Sequence, residues 1–226
     1  MLAHPRHTAV VFITVAVNLT LGCGSSRGSD IPPELLAAIA AGQNQGGGDY
    51  PSGPYGPLEG DVAANLCFQG WPDPEADDYD GDQMQQVCFA DFYDPSGEEI
   101  RLLYVATSAL WCVACVNEYG GGPDRPSLRE HFEARRDDGF RVLGALFQDT
   151  ARNPASVADA EIWASRFEVN FAFVRDNEFR MGEFANANNQ PFGMLVDTAT
   201  MRIVAQFEGD VPASLWPAVD DFLDTN

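Results

Sequence analysis

The sequence predicts an α/β domain: a central mixed β-sheet flanked by helices, with an N-terminal hairpin extension. Three observations carry that expectation. From Tyr50 onward, short apolar runs rich in β-formers alternate with segments whose apolar residues recur at helical spacing. The longest apolar run, Arg101–Glu118, reads as a buried strand and acquires two cysteines, Cys112 and Cys115, where such a strand hands over to a helix. Residues 24–48 are rich in Gly, Ser, Gln and Ala and cannot bury a core, which sets the start of the folded part at about Tyr50.

In chain order, residues 1–22 hold Arg6 and an apolar stretch from Ala9 to Leu21, broken by Thr14, Asn18 and Thr20. That stretch is too short and interrupted for a permanent span and has the charged start and apolar middle of a secretory signal. Thr20-Leu21-Gly22-Cys23 resembles a bacterial lipobox, in which Cys23 is lipidated and becomes the first mature residue; Leu19 lies one place too early for the usual spacing. Ordinary signal cleavage and an uncleaved anchor stay open. Residues 23–49 read as a flexible tether, with a possible short helix over Ile31–Ala40, and residues 50–226 as the folded domain.

Within the domain, Trp71–Asp82 is acidic but lacks the calcium-loop register: counted from Asp78, Gly81 comes fourth, whereas the EF-hand loop places glycine sixth. It reads as a solvated loop. Gln86–Tyr93 and Glu99–Thr107 flank the turn signal Asp94-Pro95-Ser96-Gly97, which predicts a hairpin whose second strand brings Trp111 and Cys112 to the sheet edge. Tyr119–Arg125 interrupts the helix that follows. Ser127 and Glu130 then have capping-box spacing, so a new helix is expected from there to about Asp138, with His131 on its surface. Arg141–Asp149 reads as a strand, Ala155–Phe167 as a helix and Phe171–Arg175 as a short strand. Pro191–Asp197 and Arg202–Glu208 make a hairpin, and Leu215, Val219, Phe222 and Leu223 mark a closing amphipathic helix.

The chemistry lies at the strand–helix junction. Two cysteines three positions apart on a first helical turn are neighbours at about 5–6 Å, a separation that suits a disulfide. Cys112 sits nearer the free N–H groups of the helix start, which favour a thiolate, so it is the candidate nucleophile and Cys115 the resolving thiol. A half zinc site is the alternative, but no second C-x-x-C or His pair exists to complete one. The chain has 5 cysteines. With Cys23 lipidated and Cys112 paired with Cys115, a structural disulfide between Cys67 and Cys88 is the simplest complement; free thiols, or a resolving role for one of them, remain alternatives. The formal charge is −21, with 13 basic residues, all Arg. Such a surface repels phosphate backbones and anionic headgroups, which argues against nucleic acid and against electrostatic membrane docking.

Trp111-Cys112-Val113-Ala114-Cys115-Val116-Asn117-Glu118 resembles the W-C-x-x-C-x-x-E signature of thioredoxin-like proteins, in particular the extracytoplasmic TlpA/ResA type of the redoxin superfamily. Tyr55–Leu66, with its Gly60-Asp61 pair, resembles the segment that leads into redoxin domains. Asn189–Asp197 is similar to the family's cis-proline segment. The resemblance implies a thioredoxin-like fold with Pro191 lying against the two cysteines, Gln190 offering backbone groups to a substrate chain and Trp111 beside them. It implies that Glu118 handles the proton of the resolving thiol. Two departures stand out: the Tyr119–Arg125 insertion, and Ala106 where thioredoxins place a buried Asp.

The implied activity is that of a cell-envelope thiol:disulfide oxidoreductase without a cofactor or metal, exported to the bacterial periplasm and tied to a membrane only through a lipid at Cys23. Its partners would be disulfide-containing exported proteins and a thiol electron donor. Val113 and Ala114 supply neither a cation nor a His to stabilise the thiolate, so a reductant or weak oxidant is expected. A peroxiredoxin-like peroxidase is the nearest rival, but Ala109 stands where that family needs Thr or Ser. A non-catalytic binding module or copper carrier is the other. The copper carriers of related fold use C-x-x-x-C and a downstream His, and no His follows His131.

Overall fold

The computed structural model describes residues 50–74, 81 and 83–225. The expected signal over residues 1–22, Cys23, the tether over 23–49 and most of the acidic Trp71–Asp82 loop lie outside the described residues. Among the described residues are seven strands, β1 (Cys67–Trp71), β2 (Gln85–Cys88), β3 (Leu102–Ala109), β4 (Phe140–Gln148), β5 (Ala172–Arg175), β6 (Phe192–Asp197) and β7 (Arg202–Glu208). The helices are α1 (Val113–Gly120), α2 (Leu128–Glu133), α3 (Val157–Arg166) and α4 (Leu215–Thr225). The strands form one mixed sheet in the order β2-β1-β5-β4-β3-β6-β7. β3, β4 and β5 run parallel, and every other neighbouring pair is antiparallel.

Alternation along β3 splits the core between the two faces of the sheet. Leu102, Tyr104 and Ala106 join Tyr119, Leu128, Trp163, Leu215 and Val219 on one face, while Leu103 and Val105 join Leu143, Val174, Val196 and Phe89 on the other. Both faces are covered, but unequally. The buried apolar residues of all four helices belong to the first cluster, whereas the second is closed by the segment 62–66 and by short 3-10 turns at Phe89–Phe92 and Arg180–Glu183. The parallel crossovers β3-α-β4 and β4-α-β5 move in the same direction across the sheet, and right-handedness puts their helices on one side.

The hairpin expected across Asp94–Gly97 does not form. The N-terminal hairpin pairs β1 with β2, Cys67 opposite Cys88, while β3 lies between β4 and β6 in the middle of the sheet. The turn itself is there: the Asp94 carboxylate accepts the N–H groups of Ser96, Glu99 and Ile100 and the Ser96 hydroxyl. What it joins is a 3-10 turn, not a strand, because Phe89 and Phe92 both turn into the second cluster. All eight residues of β3 are buried, and only a position with strands on both sides satisfies such a strand. Trp111 and Cys112 therefore leave the sheet from its centre.

The remaining elements fall close to their expected places. The Ser127–Glu130 capping box forms at α2, which ends at Glu133 and is followed by a 3-10 turn over Arg136–Asp138 in place of one continuous helix. No helix among the described residues is long and apolar enough to cross a membrane.

Candidate active site

β3 ends at Ala109, and the chain turns within three residues into α1. Leu110 N donates to Gln148 O and Cys112 N to Ala109 O, each at 3.0 Å, so the exit is bonded to its neighbour β4 and to itself. Cys112 caps α1 in an extended conformation, and its Sγ accepts the N–H of Cys115 at 3.1 Å. Cys112 and Cys115 are joined as a disulfide, their Cα atoms 5.3 Å apart. The leading cysteine retains 3 % exposure and Cys115 none, while Val113 between them is 72 % exposed.

Trp111 is clamped on edge and face. Its Nε1 donates to Gln148 Oε1 at 3.0 Å, and the Arg152 guanidinium carbon lies 3.9 Å from the ring centroid. Arg152 stands in the left-handed region at φ 68°, within a tight loop organised by Asp149. The Asp149 carboxylate accepts the Asn153 side-chain amide and the N–H groups of Ala151 and Asn153. Those bonds, the amide of Asn153 first, hold its pKa below the usual carboxylate range. The sequence reading missed Arg152, because its approach to Trp111 depends on the pairing of β3 with β4.

Across the site, the Gln190–Pro191 bond is cis and opens β6, whose Phe192 pairs with Thr107 of β3. The Gln190 side chain is turned inward: Oε1 accepts from Thr107 Oγ1 at 2.7 Å and from Phe192 N at 3.2 Å, and Nε2 donates to Asn186 O at 3.0 Å. This register puts Gln190 and Pro191 alongside the last residues of β3, next to the cysteine exit.

Glu118 lies one turn beyond Cys115 on the same face of α1, and both are buried. Its Oε1 accepts the Tyr104 hydroxyl at 2.5 Å, and its Oε2 has no partner among the described residues. Burial pushes the Glu118 carboxyl up to about 7, against the opposing pull of the Tyr104 hydrogen bond and the Arg125 charge. The insertion that carries Arg125 folds back on α1: Gly121, at φ 64°, closes the helix, Gly122 and Arg125 pair, and Arg125 Nη2 donates to Asn117 O at 3.0 Å. A side chain at Gly121 would put its Cβ 2.7 Å from Arg125 O, so the turn needs glycine.

Cys67 and Cys88 are bonded across the β1–β2 hairpin, the nearer of them, Cys67, three strand positions from β3 or about 14 Å across the sheet. His131, expected on the helix surface, is half-buried and stacked on Trp216 at 3.6 Å, and burial first, with Arg135 beside it, depresses its pKa to about 4. Among the described residues no group of three or more His, Cys, Asp or Glu side chains is placed to hold a metal ion.

No family model matches the chain, and no curated protein matches it. Solved structures do. A thiol:disulfide interchange protein from Bacteroides sp. is 20% identical, with 74% of this chain and 91% of that one covered at a TM-score of 0.51. A secreted thiol-disulfide isomerase from Corynebacterium glutamicum is 18% identical over 79% of this chain and 99% of its own, at a TM-score of 0.51. The thioredoxin domain of a thiol-disulfide oxidoreductase from Bacteroides vulgatus is 18% identical over 74% and 98%, at 0.50. At these identities the likeness speaks for architecture, and by that architecture the chain has a thioredoxin-like α/β fold.

Proposed function

We propose that the chain is a thiol:disulfide oxidoreductase whose working group is the Cys112–Cys115 couple. The observation that carries this reading is the disulfide itself, seated at a helix start with its leading sulfur accepting a backbone N–H and its second sulfur sealed inside. In the reduced protein the Cys112 thiolate attacks one sulfur of a substrate disulfide. A mixed disulfide forms, and the first substrate sulfur leaves as a thiolate that takes up a proton. Cys115 then gives its proton to the Glu118 carboxylate and attacks Cys112 Sγ. The second substrate thiolate leaves, and two electrons have passed from the dithiol to the substrate.

Each neighbour has a part. Neither backbone polar group of Gln190 is bonded to another described residue, so they are free to pair with a substrate strand, and the inward tie of the side chain to Thr107 holds them in place. In this reading Trp111 stands beside the bound substrate strand, and Pro191 faces it from the start of β6. The Cys67–Cys88 bond is structural. The substrates are disulfides of exported proteins, the electrons come from a thiol donor, and the domain works in the cell envelope, tethered through a lipid on Cys23. Among the residues closest in sequence to Cys112 none is a cation or a His, which favours a reductant or weak oxidant.

The test is the reduction potential of the couple, by equilibration in glutathione or dithiothreitol buffers, with Cys112→Ser as the control. A value near or below about −270 mV makes the protein a reductant; one near about −120 mV reverses the direction and leaves the site intact. Failure of the reduced protein to cleave insulin disulfides sinks the oxidoreductase reading.

A further inference from the structure

We infer that Tyr104 is the positioning residue of this site: its phenol fixes the orientation of the Glu118 carboxyl and sets how readily that carboxyl takes a proton. The inference rests on the oxidoreductase reading for its purpose, though not for its geometry. β3 sends Tyr104 to the helix face, where the residue has no exposed surface and its hydroxyl donates to Glu118 Oε1. The ring has no freedom to turn away. Phe207 stacks on it at 6.3 Å and the edge of Trp216 meets it at 5.8 Å.

Room for the hydroxyl is made by the strand that follows Pro191. A Cβ at Gly193 would stand 2.7 Å from the Tyr104 hydroxyl and 2.4 Å from the Phe207 ring, so any side chain there would displace the phenol. Gly193 lies opposite Ala106 in the β3–β6 pair, which places this cradle between the cis-proline and the helix. Two segments of the site thus converge on one hydroxyl.

The chemistry follows from which group can lose its proton. Burial first, and then the Glu118 charge, drive the Tyr104 phenol well above its ordinary value, so it remains the donor throughout the working range. Its hydrogen is committed to Oε1. A proton arriving on Glu118 must therefore settle on Oε2, the buried oxygen that has no partner among the described residues. The titratable and charged groups acting on Glu118 are Tyr104 from β3, Tyr119 beside it on α1, Arg125 from the loop after α1, and Cys115 one turn back once the disulfide is reduced. Of these, Tyr104 makes the hydrogen bond. Removing the hydroxyl takes away a bond that favours the carboxylate, so the proton affinity of Glu118 must rise.

The experiment is infrared titration of the buried carboxyl band in the oxidised full chain, where the closed disulfide keeps the thiols from coupling to it. Glu118→Gln assigns the band. In the parent protein it is expected to titrate near 7. In Tyr104→Phe the midpoint is expected to move alkaline by about one pH unit or more, the size of one hydrogen bond to a charged group. Replacing Tyr104 with fluorotyrosine, a stronger donor of nearly the same shape, is expected to move it the other way. A midpoint that stays put in both, or moves the same way in both, overturns the assignment. Insulin reduction by the same proteins reads the activity separately, so loss of the oxidoreductase reading and loss of the Tyr104 role are told apart.

Discussion

Glu118 is the residue at which burial and the proposed proton transfer pull in opposite directions. A carboxyl raised from 4.5 to about 7 binds its proton more tightly folded than unfolded. The folded state therefore gains from that proton below the unfolded value, and the gain is lost as pH rises from about 4.5 through 7. Glu118→Gln, which has no charge to bury, is predicted to be more stable than the parent above pH 7 by about 3 kcal/mol, with the difference vanishing near pH 4, as read by urea unfolding at several pH values. A parent protein whose stability is flat across that window would show that Glu118 is solvated. At this scale the sequence was legible where chemistry follows chain neighbours: Cys112, Cys115 and Glu118 share a helical face by spacing alone. Arg152 over Trp111 and Tyr104 on Glu118 were not, since each contact joins segments that only the sheet brings together.

At the scale of elements, the misread hairpin is instructive. Asp94–Gly97 has every local mark of a turn and makes one, yet local marks say nothing about which strand sits beside which. The uninterrupted burial of β3 carried the missing information, because a strand with no exposed residue belongs between two others. The strands and helices after Arg141 were legible because each shows one clear period. The N-terminal hairpin is instead held by the Cys67–Cys88 bond between directly opposed residues, closing 21 positions of chain. Replacing both with Ser is predicted to cost about 2–4 kcal/mol in urea unfolding. The Cys112–Cys115 potential should stay unchanged in that variant, and a shifted potential would mean that the two pairs are coupled.

The whole molecule carries a formal charge of −21 with an uneven coat of helices. Self-repulsion on that scale destabilises the compact state, and salt screens it. Raising ionic strength from about 0.01 to about 0.5 M, over which the screening length falls to a few ångströms, is predicted to raise the melting temperature. A fall would mean that surface ion pairs such as Arg135 with Asp220 and Arg129 with Glu168 outweigh the repulsion. The fold class was legible at this scale from alternation and length; the one-sided helices were not, because they follow from the direction of two crossovers across the sheet.

The sealing of Cys115 has a consequence of its own. In the proposed reaction that buried sulfur leaves Cys112 as the point of attachment, and release falls to the intramolecular attack of Cys115. If that reading holds, Cys115→Ala is predicted to stall at the mixed disulfide, so that bound partners can be recovered covalently and named by mass; a variant that retains no partner would count against the Cys112 role.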